Sequence, residues 1–242
     1  SQAKNNTIKN LATMQAKSSP TLSKKEQLWL WRDVDSKQLN SLSDQEYNFV
    51  IDMLEVAQIK SDNKRLKEQV NTALNSESAA TEILQFISGS LKVNDTNPSM
   101  LAITASSRDP YESADFYEGL LSFPNVNSQW LALTPALAKA ITTNKCDDLT
   151  TLRHSEMGLY QREHIYPDRT QAEYKLCKKG TDALVELINN STGIMFNGGD
   201  QSLTRKVLFD ENNQPYPWTK ALQSRPVVVG TSAGTAVQSG GQ

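Results

Sequence analysis

The stretch Pro226–Gln238 has the residue types of a turn that carries a nucleophile. It reads P-V-V-V-G-T-S-A-G-T-A-V-Q, so three β-branched residues run into a glycine, a serine and a second glycine. β-Branched residues favour a strand, and G-x-S-x-G is the pattern of a strand-to-helix turn that exposes a serine nucleophile. Such a turn is strained, and its neighbours must be small so that strand and helix can approach each other. The alternative is a glycine-rich turn in which Ser232 has no chemical role.

A second glycine motif, Gly198-Gly199-Asp200-Gln201, precedes the serine in the chain. It follows the apolar run Gly193–Asn197 and comes before a helical pattern. Backbone N–H groups of such a loop can stabilise the oxyanion that forms when a serine attacks a carbonyl group, together with the N–H of Ala233. The two motifs together predict an acyl-transfer site. The alternative for this loop is an ordinary strand-to-helix turn.

The elements that would position these motifs alternate between strands and helices. Four strands are predicted, at Met100–Thr104, Gln129–Leu133, Gly193–Asn197 and Pro226–Gly230. Helices are predicted between them, at Asp115–Leu121, from Thr134-Pro135 onward, at Thr181–Asn189 and at Leu203–Leu208. This alternation predicts an α/β fold with a doubly wound, mostly parallel sheet and helices on both faces. Ligands bind such sheets at the carboxyl ends of the strands, where Thr104–Ser107 would join the two glycine motifs.

The chain before the first predicted strand has helical patterns instead. The polar start, Ser1–Ser23, has no clear period and is expected to be loosely docked. Further along, a helix is predicted from a Ser43/Glu46 capping box to about Ile59, another at Asn63–Asn75, and an ambiguous helix or strand at Ser78–Ile87. We therefore divide the chain into a helical N-terminal region, residues 1–95, and part of an α/β unit, residues 96–242. No chemistry is expected in the first region.

Composition bears on partners, cofactors and compartment. A net charge of -2 gives no electrostatic reason to expect nucleic acid or an anionic membrane as partner, and no apolar run predicts a membrane span. With only two histidines and two cysteines, neither a metal nor another cofactor is expected. Cys146 and Cys177 are either free thiols or one disulfide, and a disulfide would indicate an oxidising compartment.

The motifs G-G-D-Q and G-T-S-A-G, with I-T-A-S-S at Ile103–Ser107, resemble those of the cyanophycinase and dipeptidase E family of serine peptidases. The G-G-D-Q form is closer to the cyanophycinase branch. The resemblance covers Ser99–Gln238 and implies a doubly wound fold like that of class I glutamine amidotransferases. It implies that Ser232 is the nucleophile, that Gly199 and Ala233 supply the oxyanion donors, and that Gln201 contacts substrate. We place Thr231 with Gln201 as a substrate-binding residue.

The family resemblance also implies a substrate. Its members cleave peptide bonds involving aspartate, and cyanophycinases act on the β-aspartyl-arginine unit of a storage polymer. The chain is thus expected to hydrolyse aspartyl peptides of that type. The alternatives are an α-aspartyl dipeptidase, another amidase or esterase on the same turn, and an inactive binding module on the same scaffold.

A serine nucleophile needs a general base, usually a histidine oriented by a carboxylate. In the family both follow the serine, whereas His154 and His164 precede Ser232 in a polar stretch, Asn144–Arg169, that is interpreted as a long loop. These histidines are interpreted as solvated loop residues. We therefore expect a C-terminal segment of the same precursor to complete the sheet and to supply the histidine and the carboxylate. A peptide substrate is the other expected partner, and a homodimer stays open. Proteolytic processing and the two cysteines favour a secreted or periplasmic protein over a cytoplasmic one.

Overall fold

The computed structural model describes residues 2–18, 22–72, 77–232 and 234, with side chains from residue 5 onward. Four helices come first: α1 (Gln2–Lys17), α2 (Lys24–Ser41), α3 (Asp44–Leu54) and α4 (Ser78–Asn94). Strands and helices then alternate as β1 (Ser99–Ile103), α5 (Pro110–Leu120), β2 (Asn127–Trp130), α6 (Pro135–Thr143), α7 (Leu149–Met157), α8 (Arg162–Ile165), α9 (Pro167–Asn189), β3 (Gly193–Phe196), α10 (Gln201–Leu208), α11 (Thr219–Gln223) and β4 (Val227–Gly230).

The four strands form one parallel sheet in the order β2-β1-β3-β4. Successive side chains of a strand point to opposite faces, and both faces are apolar here. Leu101 and Ile103 pack with helices α6, α9, α10 and α11, whereas Met100 and Ala102 pack with α4 and α5. The predicted parallel sheet with helices on both faces is therefore confirmed, and the arrangement is consistent with a doubly wound α/β fold.

The strand order reverses beside β1. The chain leaves β1 through α5 and returns on one side of it as β2, and it then crosses through α6–α9 to the other side as β3. A reversal of this kind opens a crevice outside the carboxyl ends of the two strands that flank it. The loops Thr104–Ser107 and Asn197–Asp200 follow the carboxyl ends of β1 and β3. The crevice therefore lies at the start of the Gly198–Gln201 motif.

Three strands and the helix starts after Ser43 and Thr134 agree with their prediction, and β2 is displaced. Helices α5, α9 and α10 begin at Pro110, Pro167 and Gln201, before their predicted starts at Asp115, Thr181 and Leu203. The capping boxes and caps at Ser43, Thr134 and Asp200 fix helix starts, because each side-chain oxygen accepts an N–H that the first turn leaves free. Strand β2 ends at Trp130 rather than Leu133, since β1 offers its last ladder partner there: the N–H of Leu131 donates to the carbonyl of Ala102 at 2.9 Å, and the chain then turns into α6.

The N-terminal predictions need three corrections. Residues 2–17 form a helix instead of a loosely docked start, because their apolar side chains contribute to a small core with α2 and α3 that contains Met14 and Trp31. The helix after Ser43 ends at Leu54, before Ile59. The helix predicted at Asn63–Asn75 is absent from its described part, residues 63–72, where a turn at 61–63 returns the chain so that Ile59 and Arg65 form an antiparallel bridge. The ambiguous segment from Ser78 is helical, as α4.

The polar stretch predicted as a loop, Asn144–Arg169, is mostly helical. It contains a 3-10 turn, α7, α8 and the start of α9, and its arginines are buried in ion pairs. Cys146 and Cys177 form a disulfide whose Cα atoms are 5.7 Å apart, so of the two alternatives for the cysteines the disulfide is the one found. Both cysteines are buried. Closing this span of 31 residues contributes about 3–4 kcal/mol to stability in the chain-entropy model.

Candidate functional site

Ser232 occupies a strained turn immediately after β4. Its φ is +49°, in the left-handed region that residues with a side chain adopt rarely, and its side chain is exposed. The turn is fixed by two backbone hydrogen bonds, from the N–H of Thr231 to the carbonyl of Phe196 at 3.2 Å and from the N–H of Gly234 to the carbonyl of Thr231 at 2.9 Å. Strain at such a residue costs about 1–3 kcal/mol and persists only where the surroundings hold it. The turn thus holds one serine out toward solvent.

The glycines of both motifs are required by close packing between β3 and this turn. A Cβ on Gly234 would overlap the carbonyl oxygen of Phe196 and would lie 2.9 Å from that of Asn197. A Cβ on Gly198 would lie 3.2 Å from both the Ser232 Cβ and the Thr231 carbonyl oxygen. The two motifs are therefore in direct contact, and any side chain at either glycine would push Ser232 away from the β3 loop.

The Gly198–Gly199 loop presents unused backbone donors beside Ser232. Gly199 has a φ of +138°, which favours glycine, and its missing Cβ leaves room for the carbonyl oxygen of Ser106. The N–H of Asp200 donates to that carbonyl at 2.9 Å. Within the described residues, neither the N–H of Gly198 nor that of Gly199 donates a hydrogen bond. No described group occupies these two N–H groups, so they can donate hydrogen bonds to an anionic oxygen of a ligand.

The remaining predicted site residues lie at the same edge of the sheet or outside the described chain. Ala233, the second expected oxyanion donor, lies outside the described residues. Thr231 is exposed and adjoins Gly198, with its Oγ1 3.4 Å from the position of a Gly198 Cβ. Gln201 is exposed at the first turn of α10. That turn is capped by Asp200, and hydrogen bonds from Ser202 lower the pKa of the Asp200 carboxyl.

A buried asparagine, which the sequence analysis did not single out, joins the loops around this site. Asn197 is 1% exposed, its Oδ1 accepts the N–H of Ser106 at 3.0 Å, and its Nδ2 donates to the Ser107 hydroxyl at 2.8 Å. Ser106 in turn shares a hydrogen bond between hydroxyl groups with Thr204 of α10. The available sequence signal was a polar residue at the end of an apolar strand, directly before two glycines.

Neither histidine acts as a partner of Ser232 among the described residues. His154 lies on α7 and stacks on Tyr160 at a ring distance of 4.7 Å, and His164 lies on α8. Both are exposed, as expected, but they belong to helices rather than to a loop. No hydrogen bond from either side chain to Ser232 occurs within the described ranges. The described part of the site therefore contains an exposed serine and two N–H groups without a described partner, and it contains no histidine that could act as a base for Ser232.

A buried cluster around Glu173 contains a group with a perturbed pKa, but its contacts are structural. Glu173 is fully buried and binds Arg153, whose Nη2 lies 2.6 Å from its Oε2, together with the hydroxyl groups of Tyr111 and Thr134. Burial, followed by the charge of Glu173, raises the pKa of Tyr111 well above its ordinary value. Perturbed groups often mark functional sites, but these are satisfied by one another and closed to solvent. In the described chain, moreover, no group of three or more His, Cys, Asp or Glu side chains could hold a metal ion.

A large cavity lies away from the strand ends. It has a volume of about 630 Å³ and is a groove between α1, α2 and the end of α3, lined mostly by apolar side chains such as Met14, Leu30 and Met53. It contains no group of acid, base and nucleophile.

Among the described helices, none has the length and apolar character needed to cross a membrane.

Comparison with known proteins adds no relative. No protein-family model matches the chain, and no curated protein or solved structure matches it. What is established is thus an α/β fold with a four-stranded parallel sheet, and a serine turn at the carboxyl edge of that sheet.

Proposed function

We propose that this chain carries a serine hydrolase site at Ser232 that cleaves aspartyl peptides, with a β-aspartyl-arginine peptide as substrate. The carrying observation is that Ser232, at positive φ after a parallel strand, packs against a glycine loop whose Gly198 and Gly199 N–H groups donate no hydrogen bond within the described residues. The substrate follows from the resemblance of G-G-D-Q and G-T-S-A-G to cyanophycinase and dipeptidase E. We likewise propose the class I glutamine-amidotransferase-like version of the doubly wound fold.

In the proposed reaction the Ser232 Oγ attacks the carbonyl carbon of the scissile peptide bond while a base takes its proton. The carbonyl oxygen becomes an oxyanion that accepts the N–H groups of Gly199 and Ala233. The amine leaves with a proton from the base, and water then hydrolyses the acyl-serine. Loss of one such donor costs about 100- to 1000-fold in rate, so the N–H of Gly199 carries much of the acceleration. Gln201 and Thr231 would contact the substrate beside the serine.

The base is proposed to come from a further segment of the same precursor, which also supplies its orienting carboxylate. Two observations support this. Neither described histidine pairs with Ser232, and in the described chain β4 is the edge of the sheet, where Val228 and Val229 are only half-buried. An unpaired apolar edge favours addition of another strand. Co-purification of a second polypeptide, or a longer intact mass, would support this; a single polypeptide of this sequence that hydrolyses substrate would contradict it.

We also propose that the protein is secreted or periplasmic. This location is supported by the disulfide between Cys146 and Cys177, because such bonds persist in oxidising environments.

The direct test is labelling with a fluorophosphonate, which reacts with activated serines. Wild-type protein that includes the proposed further segment should be labelled at Ser232 and should hydrolyse a β-aspartyl-arginine dipeptide, and Ser232→Ala in the same protein should lose both. Ser224→Ala is the matched control, since Ser224 is also exposed and its hydroxyl makes only local contacts: it donates to the carbonyl of Ala221 and accepts from Arg225. Wild-type turnover that survives in Ser232→Ala would rule the proposal out. An α-aspartyl peptide and an ester in the same assay separate the family alternatives.

A binding module on the same scaffold is the second candidate, favoured by the absence of a described base at Ser232. It predicts that the β-aspartyl-arginine dipeptide binds to wild type and to Ser232→Ala equally, measured by calorimetry, with no labelling and no turnover. Labelling of Ser232 would exclude it.

A further inference from the structure

Resting on the serine hydrolase proposal, we infer that Asn197 is a positioning residue that fixes the oxyanion loop against the β1 loop. Its side chain connects the carboxyl ends of the two strands that flank the crevice. The acceptor Oδ1 takes the N–H of Ser106 at 3.0 Å, and the donor Nδ2 gives to the Ser107 Oγ at 2.8 Å. At 1% exposure, water cannot replace either bond.

The bonds of Asn197 determine where the Gly199 peptide lies. They hold the Ser106–Ser107 backbone, and the carbonyl of Ser106 then accepts the N–H of Asp200 at 2.9 Å. The same carbonyl fills the space that a Cβ on Gly199 would need. Within the described residues the N–H of Gly199 donates no hydrogen bond, and the preceding Gly198 packs against Ser232. Asn197 thus acts on the oxyanion donor through Ser106, without touching substrate.

An asparagine suits this role because one amide offers an acceptor and a donor in a fixed plane. An ionised aspartate is isosteric but offers acceptors only, and burial of its charge is costly. The charged groups on the neighbouring loops are engaged elsewhere. Asp200 caps α10, Arg108 binds Asp52, and Asp109 caps α5 and binds Arg162.

The test compares Asn197→Asp with Thr192→Val. Thr192 is the matched control because it is buried at the opposite end of β3, where its Oγ1 accepts the N–H of Ser99 and donates to Asp95. The measurement is the rate of Ser232 labelling by a fluorophosphonate at saturation and the concentration that gives half of that rate. Asn197→Asp should lower the saturated rate about 10- to 100-fold with little change in the half-saturating concentration. Thr192→Val should lose stability but keep both values.

A pH series separates positioning from a general loss of structure. Burial raises the pKa of a carboxyl group, and a protonated carboxyl presents one donor and one acceptor as the amide does. The ratio of the Asn197→Asp rate to the wild-type rate should therefore rise as pH falls from about 8 to about 5. The wild-type denominator cancels the titration of the general base. A ratio near one throughout, or one reduced equally at every pH, overturns the inference.

A second variant covers the case in which Asn197→Asp does not fold. Ser107→Ala removes the acceptor of Nδ2, together with a hydrogen bond between the hydroxyl groups of Ser107 and Ser113. It should slow labelling at saturation about 3- to 10-fold, since the bond from Ser106 to the Asn197 Oδ1 stays. An unchanged rate overturns the inference. Absence of labelling in wild-type protein overturns the hydrolase proposal and this inference with it, whereas labelled wild type with unaffected variants overturns the inference alone.

Discussion

Two polar regions lie side by side in this molecule, and they differ in charge: one consists of ion pairs and the other of uncharged polar groups. One is a set of largely buried ion pairs, here called the arginine interface, and the other is the uncharged strand-end site around Ser232. The arginine interface consists of Arg65, Arg108, Arg153, Arg162 and Arg169 with the carboxylates of Asp52, Glu55, Asp109, Asp115, Glu118, Glu163, Asp168 and Glu173. The strand-end site consists of Ser106, Asn197, Gly198, Gly199 and Ser232. They meet in the β1 loop, where Ser106 and Ser107 precede Arg108 and Asp109.

The arginine interface attaches the N-terminal helices to the α/β part. Arg162 is fully buried on α8 and binds Asp109 at the start of α5 and Glu55 at the end of α3. Burial alone would lower the pKa of Arg162, but the charges of Asp109, Glu55 and Asp52 outweigh it and raise the pKa. Every one of these charges has a partner of opposite sign, as burial requires.

The strand-end site differs because some of its hydrogen-bond donors have no partner among the described residues. It has no ion pair among its described residues, and its N–H groups at Gly198 and Gly199 have no partner in the described chain. Buried side chains with perturbed pKa values, such as Arg162 and Asp115, lie in the arginine interface. The proposed catalytic site is distinguished instead by a strained serine and by N–H groups without a partner in the described chain, because a catalyst needs groups whose hydrogen-bonding capacity is not already satisfied.

The largest expected effect is in the arginine interface. Arg162→Met should lower the free energy of unfolding by about 3–5 kcal/mol, because it leaves the carboxylates of Asp109, Glu55 and Asp52 buried with less compensating charge. Urea denaturation monitored by circular dichroism measures this. Lys139→Met is the matched control: its partner Glu211 is exposed, so the loss should stay below about 1 kcal/mol. Equal losses in both variants would show that the arginine interface is not what holds these helices in place.

The next effect is in the strand-end site and depends on space instead of charge. Gly199→Ala should cost about 3 kcal/mol, because the new Cβ overlaps the carbonyl oxygen of Ser106 and φ is +138°. Gly89→Ala is the control, since a Cβ on Gly89, inside α4, meets nothing within 4 Å and should stabilise the helix by about 0.5–1 kcal/mol. Urea denaturation gives both values. A Gly199→Ala variant as stable as wild type would mean that the close approach to Ser106 is absent.

The same difference explains what the sequence could and could not predict. Short-range patterns were sufficient where neighbours in sequence determine structure. Val227–Val229 and Gly193–Phe196 form strands because the first run is β-branched and the second is a short apolar run, and the glycines after them require turns. The position of Ser232 and of the Gly198–Gly199 loop at one sheet edge followed from parallel pairing alone.

Structure that depends on contacts between residues far apart in sequence could not be predicted. The segment Asn144–Arg169 reads as a polar loop because its arginines are charged, yet Arg153, Arg162 and Arg169 are buried by carboxylates that lie far away in sequence. The contacts of Asn197 could not be inferred from the sequence either, since its partners Ser106 and Ser107 lie about ninety residues earlier. Polarity indicates exposure only when the partner of a polar group is solvent.

The smallest predicted effect tests the arginine interface by pH. Asp115 accepts from Arg65 at 2.6 and 2.8 Å, from Arg169 at 2.6 Å and from the N–H of Glu68 at 3.0 Å. Burial alone would raise the pKa of Asp115, but these hydrogen bonds outweigh it and lower the pKa to about 2. Its contribution is therefore present above the unfolded pKa of about 3.9 and is lost as pH falls toward 2. We expect a loss of about 2 kcal/mol over that interval.

Asp115→Asn isolates this contribution. The variant is less stable at neutral pH, but the difference between wild type and variant should shrink by about 2 kcal/mol between about pH 5 and pH 2, because only wild type has this carboxylate to protonate. Asp182→Asn is the control, since Asp182 is exposed on α9, has no ion pair in the described chain, and should leave the acid limb unchanged. If Asp115→Asn and wild type lost stability in parallel on acidification, the interface would owe its strength to packing and not to charge. The contrast with the uncharged strand-end site would then rest on shape alone.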